Sequence, residues 1–202
     1  MNIAVLASGN GSNLQALIEA QARGDLGGGK IVLAAGDKPG ALALKRAIKA
    51  GIKVFAEDAA AFGTREEFDQ ALMGALERAG VELVVLAGYM RLLSPAFVSS
   101  YEGRIINIHP SLLPAFKGTH GIKDAYDHGV KVTGVTVHFV DVELDNGPII
   151  MQREVPVSED DTLETLEEKI HKAEHMIYPE AVRLFAEGRL SVKGRKVKIL
   201  EL

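Results

Sequence analysis

Hydrophobic positions along the chain recur with two periods that take turns. Residues 3–7 are a short apolar run, followed by Ser8-Gly9-Asn10-Gly11-Ser12-Asn13, after which Leu14, Leu17 and Ile18 recur at helical spacing. This predicts a strand, a tight turn and a helix. Residues 31–35 repeat the apolar run, a polar turn with Asp37 and Pro39 follows, and a helix is predicted over 41–50 with Gly51 as its stop. A third short strand at 52–55 leads to Thr64 and Glu67, spaced as a capping box for a helix reaching about residue 79. Residues 82–88 are almost continuously apolar, as in a central parallel strand covered on both faces. Ser94 and Pro95 then mark the N-cap and first position of another helix.

The second half changes character. Residues 104–109 alternate, which puts Asn107 and His109 on one side of a strand, about 7 Å apart. Pro110 and Pro114 end that strand and define the loop after it, with Leu113-Pro114 a candidate cis bond. Residues 124–129 read as the end of a short helix. Residues 134–140 alternate cleanly, Val135, Val137 and Phe139 on one face and Thr136, His138 and Val140 on the other. An acidic loop at 141–147 and a strand at 148–155 make an antiparallel hairpin added to the parallel sheet. Helical spacing from 161 to about 187 is interrupted or kinked at Pro179, and 188–202, basic and alternating around Gly194, predicts a terminal hairpin. The class is therefore α/β: a mostly parallel twisted sheet with helices on both faces, in one domain spanning 1–202.

Composition narrows the function more than the fold. With 23 basic and 27 acidic residues the net charge is −4, so no overall basic field points to nucleic acid. The absence of cysteine removes thiolate chemistry and disulfides. None of the 6 histidines stands in an H-E-x-x-H or comparable spacing, so no metal site is expected. The first residues offer neither a basic leader nor an apolar span of about twenty residues, which suits the cytoplasm and no membrane partner.

Three stretches carry candidate chemistry. The 8–13 turn combines flexible glycine backbone with a helix start, where Ser12 or Asn13 can cap and outward N–H groups attract phosphate. Without a lysine it is no P-loop, and Gly9-x-Gly11 with Leu14 beyond it is only part of a dinucleotide fingerprint, for which Asp37 would be the ribose acid. A tight turn with no ligand fits the same residues. The 89–95 stretch, with Met90, Arg91, Leu92 and Leu93, suits either a flat heterocycle or the sealing of a sheet edge. Asn107 and His109 end a strand where open α/β sheets bind ligands; alone they also fit a turn-closing amide and a core histidine, but Asp145, the glycine-rich start and His138 are suitable companions. The 141–147 loop fails the spacing of a calcium loop.

Taken in order, Ser8-Gly9-Asn10-Gly11-Ser12-Asn13-Leu14, residues 85–95, Asn107-Ile108-His109-Pro110-Ser111-Leu112-Leu113-Pro114, Val137-His138-Phe139-Val140 through Asp145-Asn146-Gly147-Pro148, and Glu174-His175-Met176-Ile177-Tyr178-Pro179 resemble the phosphoribosylglycinamide formyltransferase family. These are folate-dependent enzymes of purine synthesis that move a formyl group from 10-formyltetrahydrofolate to glycinamide ribonucleotide. The resemblance implies a Rossmann-like formyltransferase fold, with a phosphate-binding half at 1–103 and a catalytic and folate-binding half at 104–202. It implies Asn107, His109 and Asp145 as the catalytic trio and Gly11, Ser12, Asn13, His171 and Glu174 as ribonucleotide contacts. Folate contacts would be Arg65, Met90, Arg91, Leu92, Leu93, Asn107 and the loop residues Asp141, Val142, Glu143, Leu144 and Asp145. It further implies 10-formyltetrahydrofolate as a consumed cosubstrate, no metal, small-molecule substrates only, and a monomer or weak homodimer. Lys117, where the family often has proline, and His171, at a variable position, depart from the pattern. The chemistry of the trio agrees: Asn107 can donate to a tetrahedral oxyanion, while His109, its charge and orientation held by Asp145, can stabilise the same oxygen and relay protons.

Overall fold

Along β1 (Asn2–Leu6), Ile3 and Val5 face one apolar core while Ala4 and Leu6 face another, so side-chain alternation alone buries the strand on both sides. The same division runs through the computed structural model, which describes residues 1–201. Its strands are β1, β2 (Lys30–Gly36), β3 (Lys53–Ala56), β4 (Leu83–Leu86), β5 (Ile105–His109), β6 (Val132–Phe139), β7 (Ile149–Pro156), β8 (Leu190–Lys193) and β9 (Lys196–Ile199). They form one sheet in the order β3-β2-β1-β4-β5-β6-β7-β9-β8. β1 to β5 are mutually parallel, β6 is antiparallel to both β5 and β7, and β8 with β9 forms the terminal hairpin, which joins the sheet through Ile149 and Lys196. Leu202, the last residue of the expected hairpin, lies outside the described residues.

Three helices, α1 (Ser12–Arg23), α2 (Leu42–Lys49) and α6 (Leu163–Ala186), cover one face with Leu14, Leu17, Leu44, Leu166, Ile170 and Tyr178. On the other face α3 (Arg65–Arg78) and α4 (Pro95–Ser100) contribute Phe68, Leu72 and Phe97. The short α5 (Gly121–His128) packs beside α6, starting earlier than residue 124. β4 and β5, on either side of residue 103, are hydrogen-bonded neighbours in the sheet.

Two local expectations change. Neither Ser12 nor Asn13 caps α1: Gly11 does, at φ 76, with no side-chain cap bond, because the chain leaves β1 through a left-handed residue that only glycine adopts cheaply. α6 runs through Pro179 without interruption. A proline there costs the helix about 3 kcal/mol, but 10 residues of α6, Pro179 among them, are buried, and that apolar face outweighs one missing backbone bond. Other signals hold, including the Thr64–Glu67 capping box, Ser94 with Pro95 at α4, and a cis Leu113-Pro114 bond.

α6 is bolted to the sheet at its middle. Tyr178, wholly buried, points its hydroxyl at the carbonyl oxygens of Leu86 (2.7 Å) and Ile106 (3.2 Å), where β4 and β5 are about to part. Tyr178→Phe keeps the ring and removes the donor from two buried carbonyls. It is expected to cost about 1–3 kcal/mol, read as a lower urea midpoint with an unchanged slope; an unchanged midpoint would show that the bridge does not stabilise the fold.

Candidate active site

Parallel strand order reverses between β1 and β4, and the loops that leave their carboxyl ends frame a cleft of about 710 Å³. Ser8 fastens the two loops: its N–H donates to the Gly88 carbonyl at 3.0 Å and its Oγ accepts the Met90 N–H at 2.9 Å. One end of the cleft is the start of α1. With Gly11 as an uncapped helix start, the first N–H groups keep no side-chain acceptor, and Gly11, Ser12 and Asn13 all line the cleft. A Cβ on Gly11 would stand 2.6 Å from Ala43, so this glycine is demanded by α2 as well as by its φ. Arg46 of α2 grips Asn10 through its main-chain carbonyl (3.0 Å) and Oδ1 (2.9 Å), fixing the turn from outside.

α6 closes that end. Glu174, 4% exposed, accepts hydrogen bonds from Asn13 Nδ2 (3.0 Å) and His171 Nδ1 (2.9 Å). The bond to Glu174 holds the His171 imidazole above its usual range, despite opposing desolvation. Its stacked neighbour His175, with ring centroids 6.4 Å apart, is pushed down by burial. Two adjacent histidines therefore carry charge over different pH ranges.

At the centre stands β5. Asn107 and His109 project from one side of it, and on β6 His138 lies directly opposite Asn107 and Thr136 opposite His109. His138 Nδ1 is 2.7 Å from the Phe139 carbonyl, which can only accept, so Nδ1 carries the proton and Nε2 is the acceptor. Asn107, at 3.2 Å from that Nε2, must then present its amide Nδ2. Burial lowers the His138 pKa and keeps the ring in this neutral form. By the same reasoning His109 Nε2 donates to the Phe116 carbonyl at 2.8 Å, leaving Nδ1 to face Asp145 Oδ2 at 3.5 Å. Asp145 is 9% exposed, takes a 2.8 Å bond from the Gly118 N–H, and has φ 48.

The cleft walls are apolar and open at the rim. Met90 (62% exposed) and Leu92 (59%) stand on the β4 loop, Val142 (72%) and Leu144 (55%) on the 141–147 loop. That second loop is pinched at its base, where Phe139 N–H donates to the Pro148 carbonyl and a Cβ on Gly147 would collide with the Phe139 carbonyl. Within the loop Asp141 Oδ1 accepts the Glu143 N–H at 2.9 Å. Lys117 reaches across to Asn146 at 3.4 Å, so the residue that departs from the family pattern links the loop after Pro114 to this one.

Of the candidate residues, Gly11, Ser12, Asn13, Met90, Arg91, Leu92, Leu93, Asn107, His109, Asp141, Val142, Glu143, Leu144, Asp145, His171 and Glu174 all line the cleft. Arg65 does not: it opens α3, where its guanidinium meets Glu66 at 2.9 Å. Arg91 lines the cleft while its guanidinium lies 5.1 Å above the Phe68 ring. The lining adds His138, Lys38, Gly118, Thr119 and Ile122, of which only His138 showed in the sequence, as an inward position of an alternating strand. Asp37, the acid a dinucleotide site would need, is buried and not part of the lining. Among the described residues, no group of three or more His, Cys, Asp or Glu side chains is arranged to hold a metal ion, and no helix is long and apolar enough to cross a membrane.

Comparison with known proteins places the chain in a family. A family model described as formyl transferase matches residues 1–182. Phosphoribosylglycinamide formyltransferase of Escherichia coli is 45% identical over 192 residues, covering 95% of this chain and 90% of that protein. The trifunctional purine biosynthetic protein adenosine-3 of Chironomus tentans is 48% identical over 194 residues, of which this chain spans 96% of its own length but 14% of the relative's. A crystal structure of glycinamide ribonucleotide transformylase 1 from Symbiobacterium toebii superposes with a TM-score of 0.97 at 49% identity, covering 100% of this chain and 94% of that one. The chain belongs to the formyl transferase family and, within it, to the phosphoribosylglycinamide formyltransferases.

Proposed function

We propose that the protein transfers the formyl group of 10-formyltetrahydrofolate to the amino group of N1-(5-phospho-D-ribosyl)glycinamide, releasing tetrahydrofolate and the N2-formyl product for de novo purine synthesis. One observation carries this reading: a helix start suited to phosphate, an apolar-walled slot suited to a pterin, and Asn107, His109 and Asp145 between them share a single cleft. Ser12, Asn13 and their backbone take the phosphate, with His171 as its cation and Glu174 holding both sides of that end. Met90, Leu92, Leu93 and the 141–144 loop take the pterin, and Arg65 is left for the exposed end of the cosubstrate. The 1–103 half thus supplies the phosphate turn and one pterin wall, and the 104–202 half the chemistry and the other wall. The enzyme works in the cytoplasm as a monomer or weak homodimer on small molecules alone.

The amine attacks the formyl carbon, the carbon–N10 bond breaks, N10 takes a proton and the amine gives one up. Asn107 keeps one N–H on His138 and offers the other to the developing oxyanion, an interaction strengthened as charge builds. His109 has its Nε2–H committed to Phe116, so the proton it exchanges sits on Nδ1, beside Asp145. Asp145 Oδ2, 3.5 Å away, is the carboxylate that the imidazolium would face.

Initial-rate assays of formyl transfer to the ribonucleotide test the whole reading, and absence of transfer by folded protein would reject it. Within it, Asp145→Asn is expected to lower kcat about 100-fold with both KM values changed far less, as for an interaction felt in the transition state. A near-native kcat would remove Asp145 from the chemistry.

His171 gives a pH signature. A histidine whose pKa is raised stays charged to higher pH and loses its charge as pH climbs through that raised value. The ribonucleotide KM should therefore rise by about fivefold as pH climbs through that raised value, on roughly 1 kcal/mol for a half-exposed ion pair. His171→Gln should raise KM at low pH and abolish the climb, while the substrate phosphate's own titration near about pH 6 stays common to both proteins. Parallel KM profiles for the two proteins would place the phosphate elsewhere.

A further inference from the structure

Behind the catalytic strand a row of side chains crosses three strands: His109 on β5 pairs with Thr136 on β6, and Thr136 with Gln152 on β7. Thr136 is wholly buried and its hydroxyl is saturated. It donates to the Ser111 carbonyl (2.7 Å) and accepts both the Leu113 N–H (3.0 Å) and Gln152 Nε2 (2.9 Å), using its one proton and both lone pairs. The same Gln152 amide donates to the Leu113 carbonyl at 3.0 Å. Both main-chain groups of Leu113, the residue before the cis proline, are thereby clamped to the sheet.

What the clamped loop carries makes this matter. Three residues beyond Leu113, the Phe116 carbonyl fixes His109 Nε2 at 2.8 Å; two further on, the Gly118 N–H fixes Asp145 Oδ2 at 2.8 Å. Phe116 holds φ 50, which a phenylalanine adopts only when its surroundings impose it. The loop has few other anchors: Ser111 Oγ bonds the Ala115 carbonyl (2.5 Å) within the loop itself, and Leu112 sits over Gly134, where any side chain would strike it.

Resting on the formyl-transfer reading above, we propose that Gln152, a residue outside the cleft, is a positioning residue for the reaction: through Leu113 and Thr136 it sets the loop whose main chain aims His109 and Asp145. Gln152 is exposed, as are Arg153 and Glu154 after it on β7, so its replacement removes two hydrogen bonds without opening the core. The sequence shows it only as one more polar position in a strand.

Gln152→Met keeps the length and removes the donors. Initial rates should show kcat lowered about tenfold or more, the scale on which a displaced catalytic group is felt, with both KM values within about twofold of the parent and the urea midpoint little changed. Nitrogen-15 NMR of His109 should show the Nε2–H tautomer, held in the parent by the Phe116 carbonyl, becoming mixed in the variant. Unchanged kcat and an unchanged tautomer would overturn the proposal, and so would a kcat loss matched by a loss of folded protein. Failure of the parent itself to transfer formyl would reject the reaction and not the network, because the tautomer spectrum decides the network without turnover.

Discussion

Everything at the cleft depends on the strand order turning outward from β1 in two directions. β2 and β3 are laid down on one side, β4 and β5 on the other, so the chains leaving β1 and β4 diverge and leave a gap that no helix of the fold fills. The Ser8 contacts to Gly88 and Met90 keep that gap from widening. The Gly9–Asn13 turn, the apolar wall and the strand bearing Asn107 and His109 each occupy a carboxyl end facing it. A helix start needs only unfilled N–H groups to become an anion site, and the reversal places one at the gap.

The two histidines of the central strands show environment assigning chemistry. His138 and His109 project from neighbouring strands to one side of the sheet, each with one nitrogen on a main-chain carbonyl. Their remaining nitrogens meet opposite partners, an amide donor for His138 and a carboxylate for His109. The first ring is thus fixed as a neutral acceptor that orients Asn107. The second has a counter-ion waiting for its charge. Asp145 lies 3.9 Å from His138 as well, but desolvation of that ring outweighs the attraction, and its basicity falls.

Periodicity made the sheet legible: 82–88 is a nearly continuous apolar run because both its faces meet apolar cores, whereas 134–140 alternates because one buried face, with Val135, Val137 and Phe139, is apolar and the other, with Thr136 and His138, is polar. It also made Asn107 and His109 legible, since polar residues at the end of such a strand need a reason. What stayed hidden depended on relations between distant segments. Gly11 caps α1 because Ala43 of α2 crowds it, and Pro179 is absorbed because α6 has a whole sheet to lie on. Lys38 enters the cleft from a turn whose neighbours in sequence say nothing of it. His138 could be placed on its face, but the tautomer that gives it a task requires the Phe139 carbonyl and Asn107 together. Arg65 was legible only through the family pattern: its guanidinium meets Glu66 outside the cleft, where only the exposed end of the proposed cosubstrate would reach it.

The bond between Asn13 and Glu174 joins residues 161 positions apart. During synthesis the turn before α1 is therefore made early and remains one partner short while the rest of the chain is translated. At about 5–20 residues per second, the interval is roughly 8 to 30 s. Through that time Asn13 Nδ2 lacks the acceptor it has in the finished fold. The end of the cleft proposed to take the phosphate becomes whole when α6 docks, which makes closure of the site and completion of the sheet's helical cover the same event.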